Sequence, residues 1–274
     1  HRYQLGKIFF KCFRMTFRNW QKQESKLFQN KKRKIGYFCV INSGGVFLKY
    51  LFIFTNFIIG SCLASHAAVV YEHWNDKNFI YSRSQCNNCH LELSILDEIP
   101  LLSYLFLQGK CRYCYQQIPV ELFLFELIGG FAFCLLDFSK TQDIITAILL
   151  FSLLVVAISD YQKQEFDLLL LIPAISVAIL FNQFAAFTLI DWISFTLLLG
   201  IFSYSIMQRK MGLGDLLIYL IIACYFTPSF ANLVFLFASI LVIAIFLIEK
   251  TPINHRYPFI PYIFLGLVLT QLIF

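Results

Sequence analysis

From Val46 onward, long uncharged runs alternate with short polar breaks, and a helix crossing a bilayer needs about 20 apolar residues. Leu51 to Tyr71 predicts a first span, and Leu122 to Leu136 a second that is interrupted near its start by Glu126. Ile144 to Ser159 gives a third. Leu168 to Ile190 is uncharged for 23 residues, Trp192 to Gln208 for 17, and Leu216 to Ile248 for 33. The last run is too long for one crossing, and Thr227-Pro228-Ser229 divides it. Tyr257 to Phe274 forms the final span, with Pro258 and Pro261 in its first turns, where proline is tolerated. The pattern predicts an all-α polytopic membrane protein of about eight transmembrane helices. The expected organisation is a segment 1–45, a first transmembrane helix in 46–71, a polar insertion 72–118 and a seven-helix membrane domain 119–274.

Composition agrees, because 59% of the residues are hydrophobic and only 14% charged, where a soluble domain has nearer a quarter. Twelve Gly and seven Pro against 32 Phe exclude collagen-like and disordered classes. The net charge of +6 does not point to nucleic acid, since residues 1–50 hold 12 of the 22 Lys+Arg and a single acid, Glu24. That basic stretch opens at His1 and has Met15 as its only methionine before Met207. It reads either as non-native upstream sequence or as a genuine basic arm, and it lacks the small-residue cleavage site of a signal peptide. The positive-inside bias orients the bundle. With 72–118 cytoplasmic, inside loops carry Lys77, Arg83, Lys110, Arg112, Lys163, Arg209, Lys210, Lys250 and Arg256, whereas outside turns carry only Lys140. The C-terminus is then expected outside.

Two C-x-x-C pairs stand in the polar insertion, Cys86/Cys89 and Cys111/Cys114, with 21 residues between Cys89 and Cys111. Two residues between thiolates let both sulfurs reach one tetrahedral metal, so the two pairs can complete a four-sulfur zinc site. The bland alternative is two disulfides or unpaired thiols, and a cytoplasmic loop disfavours the disulfides. A closed four-thiolate site has no position for water, so such a zinc is structural. Cys39, Cys62, Cys134 and Cys224 are scattered singly and read as small hydrophobes.

Ionisable groups inside a membrane are costly and usually functional. Asp160 ends the third span, and Asp215 opens the sixth in Met211-Gly212-Leu213-Gly214-Asp215. Gly212 and Gly214 remove side chains where an extended substrate can lie against Asp215. Two aspartates facing one another across a bundle can share a proton, one acting as base toward water and the other as acid toward a carbonyl. On spacing alone, a helix-capping Asp215 and a solvated Asp160 are the favoured reading. Other protease chemistries find less support: the sequence contains no H-E-x-x-H, and Ser61, Ser65 and His66 share one helix. Glu126 lies deeper in its span than Glu121 and needs a partner.

Several motifs in fixed order resemble one family, the type IV prepilin leader peptidases, which are G-x-G-D intramembrane aspartic proteases. Gly60-Ser61-Cys62-Leu63 resembles the family's G-S-F-L, and Arg83-Ser84-Gln85-Cys86 with Cys89 its R-S-x-C-P-x-C. Ile99-Pro100-Leu101-Leu102-Ser103 is similar to its I-P-x-x-S segment, and Gly109-Lys110-Cys111-Arg112-Tyr113-Cys114 to its second knuckle. Ile118 and Glu126-Leu127 fall in its V-E-L stretch. The resemblance implies that Asp160 and Asp215 are catalytic, that Gly212, Gly214 and Glu126 position substrate, and that the four cysteines hold zinc. It implies removal of the short leader of prepilins or competence pseudopilins at the cytoplasmic face of the cell membrane. It also implies N-methylation of the new terminus with S-adenosylmethionine, for which no glycine-rich methyl-donor motif is visible. The chain departs from the family at Phe166-Asp167, Leu217 and Asn87, where the family has Ile-Pro, Lys and Pro. A non-enzymatic scaffold or transporter subunit with a partner-binding zinc loop is the competing reading. A transporter, however, places polar groups near the midplane in broken helices.

Overall fold

The computed structural model describes residues 38–72, 74, 86, 88–164, 167–209, 211–249 and 257–274. Most of the basic segment 1–45 lies outside them, as do Lys77, Arg83, Ser84, Gln85, Asn87, Phe166, Lys210, Lys250 and Arg256. Among the described residues, nine α-helices follow in order: α1 Phe38–Glu72, α2 Leu102–Phe106, α3 Val120–Phe133, α4 Thr141–Lys163, α5 Ile172–Leu180, α6 Leu189–Met207, α7 Leu213–Tyr225, α8 Pro228–Glu249 and α9 Ile260–Ile273. No strand is present among the described residues. Four helices are long and apolar enough to cross a membrane, within α1, α4, α6 and α8, and the segments of α5, α7 and α9 are shorter apolar helices. The hydropathy pattern predicts eight crossings; four described helices reach that length, and α3, α5, α7 and α9 are shorter. Residues 52–274 form one compact unit, and residues 1–51 are a separate one.

Helix boundaries follow local chemistry. Pro228 opens α8, where its missing N–H costs nothing, and so divides the 33-residue apolar run. Thr188 caps α6 through a reciprocal box in which its hydroxyl accepts from Asp191 N–H and Asp191 accepts from Thr188 N–H. The fourth run differs from its expected form. Leu168 to Ile190 is not one span but a 3-10 turn over Leu168–Leu171, the nine-residue α5 and a second 3-10 turn at Phe184–Ala186. An uncharged composition sets no length, and Asp167 starts the 3-10 turn by accepting from Leu169 N–H at 3.0 Å.

The centre of the bundle is α4, buried without interruption from Ser152 to Asp160. A helix apolar on every side is one surrounded by others, and α4 packs on α3, α5 and α9. Leu149, Leu154 and Ile158 meet Ile218 and Ile222 of α7 and Ile263 and Leu267 of α9 in one core. Two of its polar groups find partners on neighbouring elements: Ser152 donates to Leu170 O at 2.6 Å, and Thr146 pairs with Tyr225 hydroxyl of α7 at 2.7 Å.

Small residues seat α1 on α3. A Cβ at Gly60 would lie 2.5 Å from Gly129 O, and one at Gly129 would lie 2.5 Å from the Ala64 Cβ. Gly60-x-x-x-Ala64 is thus a close-approach face of the kind membrane helices use, where association rests on packing. Gly60→Val is expected to separate the two helices and leave the protein detergent-labile, checked by its thermal midpoint in detergent. The exposed Gly200→Val, which meets nothing within 4 Å, is the control expected to leave it unchanged.

Candidate functional site

Asp160 and Asp215 come from different helices and meet at the end of the bundle that carries the insertion. Asp160 sits one turn before the end of α4 and is only 8% exposed, so it is not a solvated loop residue. Its Oδ2 accepts the Ile260 N–H at 3.1 Å. That N–H is the first of α9, whose second residue, Pro261, has none to offer. Asp215 is the third residue of α7, half-buried, with the Gly212 N–H within reach of its carboxylate. The two carboxylates are close enough to repel one another electrostatically. The positive ends of α7 and α9 therefore both face the pair, offsetting part of that repulsion.

Gly212 is exposed, and a Cβ there would meet Asp215 Oδ2 at 3.7 Å, an ordinary contact. The fold itself does not require glycine at that position. Beside the pair, Tyr161 donates to Glu121 Oε1 at 3.3 Å and packs edge-on against Phe125. Past α4, Trp74 donates to Asp167 Oδ2 at 3.2 Å, so a residue that departs from the family pattern ties the end of α1 to the chain after Asp160.

Glu126 finds its partners away from this pair. Its Oε2 accepts the Leu101 N–H at 2.8 Å, and Ser65 of α1 donates to the same carboxylate. It joins the insertion to α1 and α3, and the fold brings it into no direct contact with Asp160 or Asp215 among the described hydrogen bonds. Ser61 donates to Phe57 O within its own helix, and His66 stacks on Phe151.

The four cysteines converge as their spacing predicts. Their sulfurs all lie within 4.8 Å of one another, and Cys86 and Cys114 Sγ are 3.7 Å apart. A tetrahedral site with metal–sulfur bonds of about 2.3 Å sets sulfurs about 3.8 Å apart, far beyond a disulfide bond. Cys62, Cys86, Cys89, Cys111, Cys114, Cys134 and Cys224 are free. The residues thus fit a four-thiolate metal centre. Left-handed backbone at His90 and Tyr115 turns each knuckle, and His90 N–H bonds Cys86 O. The Gln116 N–H, with Asn88 beside it, holds the Cys114 thiol down at about 6. Leu91 N–H favours the Cys89 thiolate, but burial and the neighbouring thiols push that group up to about 11. Arg112 pairs with Asp97 at 2.7 Å, which ties the second knuckle to the 3-10 turn Ile95–Glu98.

Two buried carboxylates escaped the sequence reading, Asp97, which pairs with Arg112, and Asp191. Asp191 accepts from Thr188 N–H and hydroxyl at 2.9 and 2.8 Å, and from Ser229 hydroxyl at 2.5 Å. It staples the start of α6 to the start of α8. The Thr188-x-x-Asp191 box was the available signal; the partner on α8 had none.

Residues 58–139 match the family model of the bacterial peptidase A24 N-terminal domain. The chain is similar to the prepilin leader peptidase/N-methyltransferase of Myxococcus xanthus (strain DK1622), with 30% identity over 69% of this chain and 60% of that protein. It is also similar to that of Vibrio cholerae serotype O1, with 28% identity over 71% of this chain and 85% of the relative. A third, from Pectobacterium carotovorum, is 27% identical over 50% of this chain and 54% of the relative. The chain thus spans about 60% of the length of the first of these relatives. No solved structure matches it significantly.

Proposed function

We propose, from the similarity of this chain to prepilin leader peptidases, that it is an intramembrane aspartic endopeptidase that removes the leader of prepilins or pseudopilins. The observation that carries the reading is a pair of carboxylates from α4 and α7, within electrostatic reach of each other beneath an exposed glycine that packing does not require. One aspartate, ionised, takes a proton from water. The other, protonated, gives one to the scissile carbonyl, and like charges held close favour that split. Asp160 is oriented by Ile260 N–H, and the helix ends of α7 and α9 stabilise the single negative charge. Gly212 and Gly214 leave room for extended substrate backbone. Glu126 acts on substrate only indirectly, by fixing the insertion.

The four thiolates hold a structural zinc, which supplies cross-linking of the two knuckles and no open coordination position. Methylation of the new terminus with S-adenosylmethionine belongs to the same proposal on the strength of the relatives' names, and no residue is assigned to it. The test is incubation of the purified protein with a prepilin-like peptide. Leader release is expected, and its failure with correctly folded, zinc-loaded protein would favour a membrane scaffold.

The orientation follows from loop charge. Residues 72–118 are placed in the cytoplasm and Phe274 outside. A reporter fused after Phe274 that matures only outside the cytoplasm is expected to be active, whereas activity of a cytoplasm-only reporter would reverse the topology.

A further inference from the structure

Within the segment expected to be polar, Leu101 to Leu107 is apolar except for Ser103 and Tyr104. It opens with a γ-turn of the rare positive-φ kind: Leu101 has φ 61° and ψ −50°, and Leu102 N–H bonds Pro100 O at 2.6 Å. The turn aims the Leu101 N–H outward, where Glu126 accepts it. The five-residue α2 follows, with none of its residues buried. Leu102 is 46%, Leu105 62% and Phe106 83% exposed. Tyr104, on its other side, packs on Phe123 with ring centroids 5.0 Å apart.

These contacts fix a depth. Glu126 lies six residues into α3, about 9 Å along the axis. α3 has only 14 residues, about 21 Å of helix against a hydrocarbon layer of about 30 Å, so little of it can stand clear of lipid. An element held beside Phe123 and Glu126 is therefore at or below the headgroup boundary. Its exposed leucines and phenylalanine continue the lipid-facing surface of α3, where Val120 and Leu124 are also exposed. Lys110, exposed just past the apolar group, has the length to reach the headgroups.

We propose that the γ-turn at Leu101 and α2 form a membrane-interface wedge, pinned by Glu126, that sets Leu102, Leu105 and Phe106 into the boundary between headgroups and acyl chains. The occupant is lipid, because the surface adjoins the exposed Val120 and Leu124 of α3, a helix that the hydropathy pattern expects to cross the membrane. The insertion is thereby moored to the bilayer as well as to the bundle. The inference rests on α3 crossing the membrane and not on peptidase chemistry, so a failed cleavage assay leaves it standing.

The test is tryptophan fluorescence of Phe106→Trp in nanodiscs, read as the difference from the unaltered chain. The added indole should emit at short wavelength, lose intensity when bromines are placed on the upper acyl carbons, and resist aqueous acrylamide. Emission at long wavelength with free access to acrylamide would overturn the proposal. Shielding from both quenchers would also overturn it, in favour of a protein partner or a second copy. In the same background, Glu126→Ala should shift the emission to longer wavelength and open it to acrylamide, while Glu126→Gln, which keeps an acceptor oxygen, should not. No response to Glu126→Ala, with zinc content intact, would remove Glu126 as the pin.

Discussion

Asp160→Asn and Asp215→Asn are each expected to lower leader release by on the order of 10⁴-fold without unfolding the protein. The reason is that the pair works in two protonation states at once, and asparagine can hold neither the charge nor the mobile proton. Asparagine does preserve the local structure, since its side-chain oxygen can still accept Ile260 N–H at position 160 or reach Gly212 N–H at position 215. Removing both should cost no more than removing one, because groups that act as a unit are not additive. The rate should also follow a bell-shaped pH profile whose two apparent pKa values belong to the pair. A capping Asp215 would behave differently. Its loss costs about 0.5–2 kcal/mol of stability and leaves turnover intact, so an Asp215→Asn protein that releases leader at near wild-type rate returns the chain to the non-enzyme reading.

Cys111→Ser is expected to take the bound zinc from one per chain to near none and to open the insertion to protease. Structural zinc in small domains is worth about 10–16 kcal/mol of binding energy, more than any single packing contact here can replace. Cys111 is the buried ligand of the four, so its replacement leaves a serine oxygen, a poor zinc donor, in a closed site. Elemental analysis reads the first effect and limited proteolysis between residues 86 and 118 the second, while helical circular dichroism should change little. Metal retention should also weaken on acidification. Cys114 already favours its thiolate, with a pKa near 6, whereas Cys89 at about 11 loses its proton only when metal binds. Binding therefore releases protons, and falling pH competes with it. Wild-type protein purified without chelator and free of zinc would refute the metal centre.

Helix type, helix order and the four-thiol cluster were legible along the chain. Apolar runs cannot satisfy their backbone in lipid except as helices, and a C-x-x-C spacing brings two sulfurs together by local geometry alone. Pro228 marked a boundary because it lacks an N–H wherever it falls. These features depend on neighbours in sequence or on the solvent, and both can be read without a fold.

Partnerships between distant residues were decided by the tertiary structure. Nothing near Asp160 in sequence announces that the N–H of Ile260, 100 residues on, orients it, or that Asp215 lies within its electrostatic reach. Glu126 showed that it needed a partner, but the Leu101 N–H became available only through a γ-turn that propensity does not favour. Asp191 displayed its cap to Thr188 locally and hid its bonds to Ser229 of α8. The length of α5 was likewise set by packing against α4 and α7, because an uncharged run fixes solubility in lipid and not where a helix must stop. Hydrophobic pattern and local spacing determine which segments enter the membrane and which sulfurs pair. Which polar groups meet inside it depends on how the helices pack.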